Sequence, residues 1–332
     1  MIELPEPVEE LTPESRAHLA RLAAAGVPPV YECTPEQART LSDAAVARLS
    51  APLEAPIDVT EVTLAGAEGA LRARLYRPHG TAEPSPAAVF LHGGGWVIGN
   101  VDSYDDVCRR LADGSGGVIV SVDYRLAPEH PFPAPVEDSV AAVRDVLERA
   151  SELGIDGTRV AVAGDSAGAA LATAAARRAV NEGWDEGGGP ALAGQLLIYP
   201  TADGGEDWPS MREYASGYAL TEQSMRWFYE HYLPDPALRG HPDAAPLHAT
   251  DLGGMARAHV LVASHDPLRD EGIAYARALA AAGVPVTTFM AQGLLHGYIR
   301  WTAVVPEAAE HLRALGAVLR RWWSEPEPTR AG

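Results

Sequence analysis

A serine hydroxyl attacks a carbonyl carbon when an imidazole takes its proton, a carboxylate orients that imidazole, and backbone N–H groups receive the oxyanion. Candidates for each part occur in this chain. Ser166 stands in Gly164-Asp165-Ser166-Ala167-Gly168, between the apolar run Val160–Ala163 and the small-residue stretch Ala167–Val180. Strand, tight turn and helix in that order form the context a nucleophile elbow requires. Gly164 and Gly168 are expected because side chains there would collide across so tight a turn. Strain at such a turn lifts the serine out of the sheet, and the following helix N-terminus favours nearby negative charge. A second run, His92-Gly93-Gly94-Gly95-Trp96, follows the apolar segment Ala88–Leu91. Three glycines let backbone approach a substrate closely and aim N–H groups at a developing oxyanion. A dinucleotide-binding loop fits poorly, since Ile98 stands where its third glycine should be. His92 reads as a structural residue orienting the loop, because the base is expected after the nucleophile.

An acid and a base should then follow Ser166 in the chain. Asp266 is the first carboxylate after the apolar run Val260–Ala263, and His296 is the histidine after Val286–Phe289. Each lies beyond the C-terminal end of an expected strand, where open α/β sheets place their sites. Asp270 and Glu271 fall in the first turn of the next helix, where dipole stabilisation accounts for them. His265 immediately precedes the acid and so points elsewhere. His241 and His248 have no third ligand at a metal-binding spacing and read as solvated residues.

These residues need a doubly covered parallel sheet to position them. Apolar runs at Ala88–Leu91, Val118–Val122, Val160–Ala163, Leu196–Tyr199, Val260–Ala263 and Val286–Phe289 alternate with amphipathic stretches such as Val136–Leu153. That alternation predicts right-handed crossovers and a mostly parallel sheet. Ile57–Leu64 and Leu71–Arg77, separated by Gly66 and Gly69, read as an antiparallel pair that precedes it. Two helices are expected before residue 50. One starts at Thr12-Pro13 and stops at Gly26; the other opens on the capping box Thr34-Pro35-Glu36-Gln37. The aromatic stretch 201–251 interrupts the rhythm and reads as an inserted cap. The division expected is a cap from 1–50 and 201–250, a core from 51–200 and 251–324, and a frayed tail at 325–332, with a surface turn at Gly187–Gly189.

Composition narrows the chemistry further. The 332 residues contain no lysine, so all 26 basic residues are arginine, which excludes P-loop, Schiff-base and Ser–Lys mechanisms. With 45 acidic residues the net charge is −19, which repels nucleic acid and anionic lipid. Cys33 and Cys108 match no metal or redox spacing and read as buried thiols. No apolar run reaches the ~18 residues of a membrane span, and the acidic N-terminus lacks the pattern of a secretory signal. A soluble, cytoplasmic protein is expected, with a homodimer left open.

The chain closely resembles the hormone-sensitive-lipase-like family of α/β-hydrolase esterases, from about Pro52 to the last helix. The resemblance rests on HGGGW and GDSAG, and on the long string Asp123-Tyr124-Arg125-Leu126-Ala127-Pro128-Glu129-His130-Pro131-Phe132-Pro133-Ala134. It continues in Gly217-Tyr218, Met225-Arg226-Trp227-Phe228, His241-Pro242-Asp243-Ala244, Asp266 through Gly272, and His296-Gly297. His265, Ala245 and Leu294-Leu295 depart from the family's usual residues. The resemblance implies an α/β-hydrolase fold of about eight strands and hydrolysis of short-chain carboxylic esters, a small-molecule substrate, with no cofactor and no metal. Ser166 would attack, His296 would act as base, and Asp266 would hold the imidazole's tautomer. Amides of Gly93, Gly94 and Ala167 would bind the oxyanion. Two other readings stay open: an amidase or deacetylase using the same three residues, and a non-catalytic small-ligand receptor.

Overall fold

The computed structural model describes residues 2, 4–184, 192–205 and 207–325. The expected turn at Gly187–Gly189 and all but the first residue of the expected tail lie outside the described residues. Eight strands form one sheet: β1 (Ile57–Gly66), β2 (Gly69–Pro78), β3 (Ser85–Leu91), β4 (Val118–Val122), β5 (Ile155–Asp165), β6 (Gln195–Ile198), β7 (Ala258–His265) and β8 (Val286–Leu295). Their spatial order is β1-β2-β4-β3-β5-β6-β7-β8. β1, β2 and β4 pair antiparallel in succession, and from β4 to β8 every pairing is parallel.

Period-two alternation sorts the strand residues between two cores. Val89, Leu91, Val120 and Val162 face one side. There they meet α4 (Ala134–Glu148), α5 (Ala167–Asn181) and α8 (Arg269–Ala281). Ala88, Phe90, Ile119 and Ala163 face the other, against α3 (Asp105–Ser115) and α9 (Pro306–Ser324). Helices on both faces explain why β4 and β7 are buried at every position and read as mostly apolar runs with no in–out alternation. β5 and β8 are longer than their apolar segments. β8 continues through a bulge at Gln292–Leu294, where Gly293 N–H donates to Ser264 Oγ at 2.8 Å. Hydrogen bonding thus extends the strand where hydropathy alone would end it.

α1 (Pro13–Ala25) and α2 (Pro35–Leu49) begin and end where their caps require. Thr12 and Thr34 each accept an N–H, the second in a full capping box, and Gly26 closes α1 at φ +61°. Leu19, Leu41, Val46 and Leu49 are only half-buried, and Leu22 is exposed. With 201–250 they were expected to make up one cap, yet the hydrogen bonds of α2 and the ring contact of α1 go to core loops. Arg39 of α2 donates to Val97 O and Ala127 O, each at 2.8 Å, and pairs through both terminal guanidinium nitrogens with Glu129. His18 packs on Trp301, and Ala303 N–H bonds Leu49 O. The short turn Val30–Glu32 is what reaches the insert, at its helix α7 (Glu222–Tyr232), which follows α6 (Pro209–Glu213). Among the described residues no helix is long and apolar enough to cross a membrane. Cys33 and Cys108 are buried free thiols.

Two histidines set part of the fold's acid response. Burial lowers His92 and His259 to about 4, so both are neutral in the folded chain, whereas an unfolded histidine titrates near 6.5. Below pH ~6.5 the unfolded state takes up protons that the native state refuses, so this contribution to stability falls as pH drops toward 4. Buried Asp165 and Glu271, raised by the same desolvation, work in the opposite direction. His259→Gln isolates the term. Its Tm should fall less than the wild type's between pH 7 and 5, the difference corresponding to about 2 kcal/mol. Parallel thermal melts at the two pH values measure it.

Candidate active site

The elbow is formed by backbone that only glycine permits on either side of Ser166. A Cβ on Gly164 would lie 2.3 Å from Gly168 O, and one on Gly168 would lie 2.0 Å from Leu91 O. Ser166 itself is held at φ +54° and ψ −122°, an uncommon conformation for a side-chain-bearing residue. It precedes the first residue of α5, so its hydroxyl stands at the positive end of that helix.

Strand register brings the other two side chains to it. His265 of β7 pairs with Leu295 of β8, so Asp266 and His296 leave adjacent strands side by side. His296 Nδ1 lies 2.7 Å from Asp266 Oδ2, and His296 Nε2 lies 2.9 Å from Ser166 Oγ. Asp266 is fully buried, and its Oδ1 accepts the Leu268 N–H at 2.8 Å. Because a carboxylate only accepts, Nδ1 carries the proton and Nε2 faces the serine as an acceptor. Asp270 and Glu271 go elsewhere. Asp270 accepts the Ser210 N–H at 2.9 Å and Glu271 accepts the Ala202 N–H at 2.9 Å. They tie the segment entering the insert to the core, beyond the dipole role expected of them. His265 points away, bonded to Ser264 Oγ at 2.9 Å, and His248 pairs with Asp203 at 2.9 Å.

The glycine loop departs from expectation at one residue. Leu91 pairs with Gly164, so His92-Gly93 runs beside Asp165. The Gly93 N–H donates to Asp165 Oδ1 at 2.7 Å and is therefore unavailable to an oxyanion. Gly94 and Gly95 line the cavity above Ser166. Their N–H groups have no hydrogen-bond acceptor among the described residues. Asp165 Oδ2 also accepts the hydroxyls of Tyr104 at 3.0 Å and Tyr199 at 3.3 Å. The motif's aspartate thus ties the glycine loop to the elbow, a role with no signal in the motif's spacing.

His92 holds the loop from the other side. Its ring is fully buried and stacked on Tyr124 at 4.3 Å, with Nδ1 donating to Gly93 O at 2.8 Å. The Tyr124 hydroxyl donates to His92 O at 2.6 Å. The string 123–134 is a scaffold for this loop: Asp123 accepts the Val101 N–H at 2.8 Å, and Ala127 and Glu129 receive Arg39.

A cavity of about 220 Å³ opens over Ser166 and His296. Leu220, Met225 and Phe228 of the insert form its roof, with Val30 from the N-terminal segment. Trp208 and Trp227, whose orientation the sequence leaves open, are not among its lining residues.

Residues 88–300 match the family described by the α/β-hydrolase fold. The chain is 41% identical over 262 residues to the esterase LipI of Mycobacterium tuberculosis, spanning 78% of this chain and 80% of that protein. It is 37% identical over 309 residues to an ethyl acetate hydrolase of Pseudomonas putida, spanning 91% and 96%. A thermostable esterase of Pseudomonas putida ECU1011 superposes with a TM-score of 0.91 at 34% identity, over 96% of this chain and 99% of that one. Fold, site geometry and these likenesses agree, and the chain belongs to the hormone-sensitive-lipase-like family of α/β-hydrolase carboxylesterases.

Proposed function

We propose that this ester-hydrolysing enzyme cleaves short-chain carboxylic esters through Ser166, His296 and Asp266. The observation that carries the reading is the continuous chain from Asp266 Oδ2 to His296 Nδ1 at 2.7 Å and from His296 Nε2 to Ser166 Oγ at 2.9 Å. Ser166 Oγ attacks the ester carbonyl while its proton passes to His296 Nε2, and Asp266 stabilises the imidazolium. The amides of Gly94, Gly95 and Ala167 receive the oxyanion, with Gly95 taking the place first assigned to Gly93. Collapse of the tetrahedral intermediate breaks the ester C–O bond, and the alcohol leaves with the proton held by His296. A water, deprotonated by the same imidazole, then attacks the acyl-serine and releases the acid.

The direct test is turnover on a panel of aryl esters and the matching anilides. Hydrolysis of esters alone supports the reading, hydrolysis of both assigns an amidase, and hydrolysis of neither removes the enzyme assignment.

The roof sets the acyl length. A cavity of about 220 Å³ is below the roughly 300–1,000 Å³ of drug-sized sites, which favours acyl chains of about two to six carbons. Val30 lines this cavity and Arg39 fastens α2 to the backbone of the loop below it. Deleting residues 1–50 should therefore cut activity on short esters sharply and flatten the dependence of kcat/KM on chain length. An unchanged profile in a soluble truncated protein would assign these helices to packing alone.

A further inference from the structure

Arg300 is a cation on the wall of the catalytic cavity that makes no ion pair among the described residues, although its charge favours the ionised form of buried Asp165 from beyond contact. It lies four residues beyond His296, at the end of the turn Tyr298–Arg300. It lines the cavity together with Val30, Tyr104, Gly297 and Trp301. Its guanidinium sits 4.7 Å from the centroid of the Tyr104 ring. Nη2 makes one long hydrogen bond, 3.5 Å to Ser42 Oγ, and Arg300 forms no ion pair among the described residues. Arg39 nearby is paired with Glu129, and Arg269 is paired with Glu213 and Asp270. In a chain with 45 acidic residues, partners are abundant. Asp165 is the only carboxylate among the described residues lining the cavity; Arg300 acts on it electrostatically without contact, and the Gly93 N–H and the Tyr104 and Tyr199 hydroxyls already occupy its oxygens.

We propose that Arg300 binds a free carboxylate carried by the substrate, so that the preferred substrates are short esters bearing one such group, half-esters of small dicarboxylic acids among them. The proposal rests on the Ser166–His296–Asp266 reading and names the substrate class of that same site. A guanidinium presents parallel N–H donors that match a carboxylate, and stacking on Tyr104 restricts its plane before substrate arrives. In a partly enclosed cavity the attraction is stronger than on an open surface. The reaction itself is unchanged: water is consumed, the ester C–O bond breaks, the alcohol leaves protonated, and the carboxylate on Arg300 takes no part in the bond changes. The small cavity limits the anionic substituent to a short one.

The experiment compares three esters in a pH-stat assay. Monoethyl succinate carries the carboxylate on the acyl side, 3-acetoxypropanoate carries it on the alcohol side, and ethyl 4-methylpentanoate is a neutral ester of matching shape. The readout is the kcat/KM ratio of each charged ester to the neutral one, which cancels differences in the amount of folded enzyme. In Arg300→Met at least one ratio should fall tenfold or more, with the loss mainly in KM. Arg300→Lys should restore part of it, and the wild type's KM for that ester should rise with added salt. A fall of less than threefold in both ratios overturns the proposal and leaves the esterase reading standing. A wild type that hydrolyses none of the three overturns both together.

Discussion

Ser166→Ala should fold like the wild type and lose about 10⁴- to 10⁶-fold in kcat on any ester the enzyme turns over. The size of the effect follows from where the hydroxyl stands. Among the described residues Ser166 is the one nucleophile within hydrogen-bond reach of His296 Nε2, at 2.9 Å, and it sits on a turn whose backbone is set independently of its side chain. Its N–H bonds Ile198 O at 2.9 Å, its carbonyl accepts the Ala169 N–H at 3.0 Å, and its hydroxyl is no helix cap. Removing Oγ thus takes away the attacking atom and leaves the elbow. Single-turnover assays together with a thermal melt check both halves. Retention of more than a tenth of the activity would move the nucleophile elsewhere.

Asp266→Asn should cost on the order of 10⁴-fold in kcat, through the imidazole's tautomer rather than through any displacement. Asp266 Oδ1 accepts the Leu268 N–H, which obliges the asparagine to keep its carbonyl oxygen there and turn its amide NH₂ toward His296. Facing a donor, Nδ1 gives up its hydrogen, and Nε2 then presents N–H to Ser166 instead of a lone pair. Asp270→Asn is the internal control. Asp270 bonds Ser210 N–H and Arg269, so its loss should lower Tm with little change in kcat. Steady-state kinetics of the two variants side by side decide the matter. A mild Asp266→Asn with a severe Asp270→Asn would reassign the acid.

Short-range chemistry encodes the part of this fold and site that can be read from the residues alone. Apolar runs of about five residues, each followed by a turn and a helix, name the parallel strands. The last residues of those runs name the edge of the sheet where reactive groups gather. Ser166, Asp266 and His296 were legible for that reason, although Ser166 and His296 stand 130 positions apart in the chain. Thr12 and Thr34 likewise announced their helices through capping groups three residues away. Tertiary structure decided which atom faces which. Whether Gly93 or Gly95 offers its N–H to the cavity depends on the pairing of Leu91 with Gly164, which sets Asp165 beside Gly93. The partner of the N-terminal helices depends on Arg39 reaching backbone carbonyls 58 and 88 residues away. That Arg300 forms no ion pair among the described residues is equally a property of the assembled wall. Hydrophobic period is a one-dimensional signal of burial and element ends; register, bulges and side-chain reach are fixed only when distant segments close on one another.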